Sequence, residues 1–203
     1  MMMLTFRGHE VTPGRLDPSQ VCIEDIAHAL SLLCRFGGHT DVHYSVAQHS
    51  LLVARILERI GAPTSAQLAG LLHDAHEAYV GDMPTPAKTL LGPAWRDLEA
   101  QASAAVHRAL GVVGLMQEWE GLVKHADLIA LATERRDLMR FDPDRHTPWT
   151  ILDAIPEFDG PATEGGWSPQ WWEEAFLDRF ASLTRYRERA QATEFAAVHL
   201  ENI

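Results

Sequence analysis

The chain has 203 residues, 46% hydrophobic and 22% charged, with 17 basic and 28 acidic side chains and a net charge of −11. That is enough for one domain with a real core plus a C-terminal elaboration, and the composition excludes a disordered or membrane-embedded chain. The acidic balance argues against a nucleic-acid polymer as partner, because counterion release needs a basic surface, yet it leaves room for a small phosphorylated ligand.

Residues 1–20 mix apolar side chains with Pro13, Gly14 and Pro18 and are expected to be irregular. The opening MMMLTFRGHE has no apolar h-region, and no apolar run approaches the roughly 20 residues of a membrane span, so a reducing cytoplasm is the expected compartment. Residues 21–36 carry Ile23, Ile26, Ala27, Leu30, Leu33 and Cys34 at helical spacing, stopped by Gly37-Gly38. Cys22 and Cys34 fall in this stretch without a CxxC spacing and are expected to be buried, reduced thiols.

Ser45-Val-Ala-Gln48 fits a capping box and predicts a helix from Val46 to Ile60, ended by Gly61 and Pro63. Thr64-Ser-Ala-Gln67 is a second such pattern, opening a helix through Leu68, Leu71, Leu72 and Ala75 to about Val80. The prolines of Gly81-Asp-Met-Pro-Thr-Pro86 end it. Two further helices are expected over residues 93–111 and 118–141. Residues 142–169 read as an extended loop. A last helix from Pro169 to about Arg189 carries Trp172, Phe176 and Phe180 at i+4 steps. No strand alternation, internal repeat, P-loop, GxGxxG, GxSxG or zinc-type cysteine cluster is present. The fold class is all-α.

The sharpest local feature is Leu71-Leu-His-Asp-Ala-His-Glu-Ala78. A His-Asp pair inside an apolar helix is costly to bury unless an ion pair or a metal compensates it. By itself the pair is more readily structural than functional. Glu77 stands four residues after His73, one turn along the same face. His49 lies in the first turn of the helix after Ser45. Asp127 has Val123, Ala130 and Leu131 around it on an apolar helix face, where a carboxylate either needs a partner or marks the exposed edge of a patch.

The order His49 … His73-Asp74 … Asp127 resembles the H…HD…D signature of the HD-domain superfamily, which are helical metal-dependent phosphohydrolases. The stretches YSVAQHS, LLHDAHEAYVGDMPTPAK and VKHADLIALATE are similar to its bacterial 5'-deoxynucleotidase branch and that branch's phage relatives. The resemblance covers residues 21–139. It implies a single helical bundle over residues 21–141; residues 142–203, read as loop and helix, add little to it and are expected to pack on that bundle. It also implies one divalent ion held by His49, His73, Asp74 and Asp127. Two imidazoles and two carboxylates suit Mn, Co, Fe or Zn. Glu77 is then the residue that orients or deprotonates the attacking water, and Asp82 serves the water or the sugar. Arg35, Phe36, Thr85 and Lys88 are the candidate substrate contacts. Phe36 stands where that branch has a tryptophan, which leaves sugar discrimination open, and Arg35 reads equally as a surface arginine favoured by a helix C-terminus.

His39, His43 and His76 crowd the same region and leave a second ion possible, while His125 should point away from Asp127. Trp167, Trp171 and Trp172 either line a lid or, more simply, pack the last helix. The function the resemblance implies is hydrolysis of a deoxynucleoside monophosphate. A dNTP triphosphohydrolase uses the same ligands, and a catalytically idle nucleotide-sensing module is the reading from another class. An alarmone hydrolase fits less well, because that branch follows its His-Asp with Glu-Asp where this chain has Glu77-Ala78. A homodimer is implied by the resemblance alone.

Overall fold

The computed structural model describes residues 2–200, with side chains through Arg187; Met1 and residues 201–203, assigned above to the terminal segments, lie outside the described residues. The architecture is all-α. Its helices are α1 (Ile23–Leu32), α2 (Val46–Arg59), α3 (Thr64–Leu72), α4 (Glu77–Val80), α5 (Thr85–Leu91), α6 (Pro93–Ala109), α7 (Val113–Glu118), α8 (Glu120–Leu138) and α9 (Pro169–Leu200). No helix among the described residues is long and apolar enough to cross a membrane.

Helix α2 is the axis of the bundle, packed against α1, α3, α8 and α9. Its sequence explains this position, because apolar side chains run round both of its sides. Val46, Ala47 and Ala54 join Ile26, Leu30, Leu71 and Phe176 in one apolar cluster. Leu52, Val53, Ile56 and Leu57 join Val123 and Ile129 in another. A helix buried all round must carry any polar residue it keeps toward a partner. That is the setting of His49, which has no exposed surface.

The start of α2 is the capping box the sequence predicts. The Gln48 N–H donates to Ser45 Oγ, and the Ser45 N–H donates back to Gln48 Oε1 at 2.9 Å. Ser45→Ala is expected to cost about 1 kcal/mol, read as a lower denaturation midpoint at unchanged m-value.

Several boundaries differ from the sequence expectation. The N-terminal segment is not wholly irregular: β1 (Met3–Leu4) and β2 (Glu10–Val11) form a short antiparallel ribbon. Buried Asp25 accepts the Arg7 N–H at 2.7 Å and pairs with His9, which pins this ribbon to α1. Helix α1 ends at Leu32, and Cys34 pairs with Ser45 in an isolated bridge. Cys34 is therefore exposed and Cys22 caps α1 half-buried, so the thiols are free but not the buried pair expected. Residues Arg35–Gly38 make a separate tight turn with Phe36 in the left-handed region at φ 56°. A non-glycine residue held there stores strain that the surroundings must enforce.

Thr64 does not cap α3. The helix begins at Thr64 after Pro63, and the Gln67 amide donates to the Ala62 carbonyl instead of the cap. The prolines after Gly81 end α4, but they also start α5, where Pro86 sits in the first turn and its missing N–H costs nothing. Helices α5 and α7 have no counterpart among the elements the sequence predicts.

The loop after α8 lies along the bundle. The Phe158 N–H donates to Thr133 Oγ1, the Ala162 N–H donates to Asp137, and the Gln48 amide donates to Thr163. Trp172 and Phe176 bury α9 against the core, while Trp167 and Trp171 stack on one another at 5.4 Å and stay exposed.

Candidate metal centre

The stretch expected to be one helix through Val80 tightens in its middle. Ala75 N–H donates to Leu72 and Glu77 N–H to Asp74, both three residues back. The local cause is His73, whose Nδ1 takes the Gly70 carbonyl at 2.8 Å. Three-residue turns eclipse i and i+3, so Glu77 stands over Asp74 rather than over His73. The tightening brings His73, Asp74 and Glu77 together at the bundle's polar interior.

Four predicted side chains from three elements meet there. His49 Nε2 lies 3.3 Å from His73 Nε2, 3.3 Å from Asp127 Oδ1 and 3.6 Å from Asp74 Oδ2. His73 Nε2 is 3.1 Å from Asp74 Oδ2. Both imidazoles present Nδ1 to an acceptor, Glu134 Oε1 at 2.6 Å for His49 and the Gly70 carbonyl for His73. In their neutral forms both then carry the lone pair on Nε2. Two lone pairs and two carboxylate oxygens converge with no donor between them, an arrangement that repels itself unless a cation sits at its centre. Ligands about 2.1 Å from one ion lie roughly 3.0–3.5 Å apart at octahedral to tetrahedral angles; the 3.1 and 3.3 Å separations fall in that range and the 3.6 Å one lies just beyond it. The residues fit a divalent metal, with His49, His73 and Asp74 close enough to share one ion.

The electrostatics carry the same message. Burial and the Arg35 charge oppose protonation of His49, yet the Glu134 and Asp127 carboxylates outweigh them and raise it to about 9. Burial works against ionisation of Asp74 and Asp127 as well. The imidazoles of His73 and His49 nevertheless hold Asp74 far below the usual carboxylate range, and His49 above all holds Asp127 down too. In the metal-free chain a proton on His49 does part of the work of a metal cation.

Glu77 is the opposite case. It is 3% exposed, and burial followed by repulsion from Asp74 and Asp82 pushes it up to about 9. Its Oε2 has no hydrogen-bond partner. Lys88 Nζ stands 3.8 Å from Glu77 Oε1 but is held at 2.6 Å by Glu99. Asp82 follows α4 in a coil, half-buried, and is raised by burial and by Asp74 while Arg35 and Lys88 offset this.

Arg35 is not a surface residue. It is 9% exposed, with Nη1 3.6 Å from Asp74 Oδ2 and Nη2 3.4 Å from Glu134 Oε2, and its guanidinium lies 5.1 Å from the Phe36 ring centroid. Phe36 is half-buried and Thr85 is exposed at the first residue of α5. His39, His43 and His125 are exposed, whereas His76 lies close to Glu77 and Glu99.

Sequence reasoning missed Glu134, Tyr44 and Glu99. Glu134 and Tyr44 have no exposed surface, and the Tyr44 hydroxyl donates to Glu134 Oε1 at 2.9 Å. Seven residues separate Asp127 from Glu134, two turns along one face, and that spacing was the available signal.

A family model described as "HD domain" matches residues 46–155, which include all four of the converging side chains. The chain is 36% identical over 190 residues to the uncharacterized protein YfdR of Escherichia coli K12, covering 92% of this chain and 97% of that protein. It is 38% identical over 129 residues to an uncharacterized protein of Rhodobacter capsulatus, covering 61% of this chain and 66% of that one.

Proposed function

This chain belongs to the HD-domain family of metal-dependent hydrolases, and from that premise we propose that it hydrolyses the phosphoester of deoxynucleoside 5'-monophosphates to nucleoside and orthophosphate. His49, His73, Asp74 and Asp127 hold the one divalent ion. The observation that carries the reading is the clustering of His49, His73 and Asp74 within reach of one ion, with Asp127 against His49 and buried Glu77 nearby.

A bound divalent ion supplies Lewis acidity toward a phosphoryl oxygen and makes its water acidic. The protein does the rest. Glu77, its carboxylate form favoured by the charge of a bound cation and its Oε2 unpartnered, then orients the attacking water and takes its proton. Its proximity to Asp74 places that base beside the ligand set. Asp82, from the coil after α4, serves the same water or the sugar. Lys88, steered by Glu99, and the Arg35–Phe36 turn lie on the substrate side, with Thr85 at the rim.

The charge balance favours a monophosphate. Arg35 is engaged by Asp74 and Glu134, Lys88 by Glu99 and Lys124 by Asp127 at 2.7 Å. A triphosphate carries several more negative charges, and these three cations are already committed to carboxylates. The Arg55 and Arg179 side chains lie on the far side of α2 and pair with Glu164 and Glu58.

The test is product analysis with dNMPs, NMPs and dNTPs in the presence of Mn, Co or Zn. Orthophosphate release from dNMPs is the expected result. Release of inorganic triphosphate from dNTPs, with dNMPs inert, moves the assignment to a triphosphohydrolase. Stoichiometric metal without turnover of any nucleotide supports a sensing module.

A further inference from the structure

We propose that Glu134 is the positioning residue of this metal centre: its buried carboxylate fixes His49 with the proton on Nδ1 and the lone pair on Nε2, and thereby sets its strength as a ligand. The inference rests on the reading of His49 as a metal ligand.

The geometry is specific. Asp127 and Glu134 are two turns apart on α8, so both project from one face of that helix. His49 spans the distance between them. Its Nε2 meets Asp127 Oδ1 at 3.3 Å and its Nδ1 meets Glu134 Oε1 at 2.6 Å. One helix thus presents a carboxylate to each nitrogen of the same imidazole, one on the metal side and one behind it.

Glu134 is itself held by donors only. Tyr44 Oη donates to Oε1 at 2.9 Å and Arg35 Nη2 donates to Oε2 at 3.4 Å. A carboxylate paired with arginine is acceptor-only, so the third group at Glu134, the imidazole, must supply an N–H. The other tautomer would place two acceptors face to face in a site with no exposed surface. A buried carboxylate behind a ligating imidazole fixes the ring orientation and raises its basicity toward the metal. The three residues that set up this arrangement, Arg35, Tyr44 and Ser45 with its capping box, flank the entrance to α2. The start of that helix and the orientation of His49 are thereby determined together.

The experiment uses the full-length protein loaded with zinc, which is diamagnetic. Nitrogen-15 NMR of the His49 ring is expected to show zinc on Nε2 and a strongly deshielded proton on Nδ1. In Glu134→Gln, which keeps shape but removes the charge, that proton moves upfield. Zinc affinity by calorimetry falls about 10- to 100-fold, while the His73 ring signals stay in place. Zinc found on Nδ1 of His49 in the wild-type protein overturns the proposal whether or not the variant folds. Zinc bound on Nε2 with affinity unchanged in a folded Glu134→Gln variant also overturns it, leaving the metal-site reading intact. A wild-type protein that binds no zinc, manganese or cobalt overturns both.

Discussion

Asp74→Ala is expected to abolish metal-dependent hydrolysis, with kcat/KM falling at least about a thousandfold, or about 4 kcal/mol of transition-state stabilisation. Asp74 is the carboxylate of the ligand set that meets both imidazoles. Its Oδ2 lies within 3.6 Å of His49, His73 and Arg35, and its carboxylate stands under Glu77. Removing it takes one anionic ligand from a set of two imidazoles and two carboxylates, and it frees His73 from its partner. Two readouts separate loss of metal from loss of fold. Metal analysis of the purified variant should give far less than one ion per chain. Added Mn or Zn should raise the melting temperature of the wild-type protein by mass action and leave that of the variant unmoved. A variant that retains both metal and turnover would remove Asp74 from the ligand set.

Glu77→Gln carries the second large effect, of a different kind. Proton transfer by a positioned side chain is worth about 10²- to 10⁴-fold, so kcat should fall by that order while metal stoichiometry stays near one. The same substitution has a consequence for stability whose sign can be worked out. Burial, Asp74 and Asp82 raise Glu77 in the folded chain from an ordinary 4.5 to about 9. Between those values the folded chain keeps a proton that the unfolded chain has released. The metal-free wild-type protein therefore loses stability from this group as pH rises from about 5 to about 9. Glutamine does not titrate. The melting temperature of metal-free Glu77→Gln should exceed that of the wild-type protein by a margin that widens across this window. A margin that is flat or narrows would show that Glu77 is ionised in the folded chain. This is the trade expected of a catalytic carboxylate, whose burial serves reactivity at the expense of stability.

Together the two variants distinguish holding the ion from using it. A ligand loses metal and activity together, whereas a base loses activity alone. Glu134→Gln falls between them, weakening the ion without removing a ligand atom.

Much of this molecule is legible along the chain. The Ser45–Gln48 capping box fixes where α2 begins, because both halves of it are local. The apolar spacing of α6 and α8 and the Trp172–Phe176–Phe180 face of α9 follow from helical periodicity, which needs no knowledge of what packs against them. His49, His73, Asp74 and Asp127 are legible as a set through their order, which resembles the H…HD…D signature, whereas each alone reads as readily as a structural residue. What escaped was decided partly by local backbone geometry and partly by partners distant in sequence. The tightened turn at His73–His76 accompanies an imidazole reaching back three residues to the Gly70 carbonyl. Helix α5 forms although its prolines read as breakers, because a proline in a first turn starts a helix as readily as it ends the preceding one. Arg35 reads along the chain either as a substrate contact or as a surface cation, and the structure carries it inward to two carboxylates 39 and 99 residues away. Glu134, in the run Thr-Glu-Arg-Arg, carries no local sign of burial. Only the packing of α8 against α2 gives it a buried imidazole, a tyrosine hydroxyl and a guanidinium as neighbours, because a carboxylate's environment is set by what folds over it.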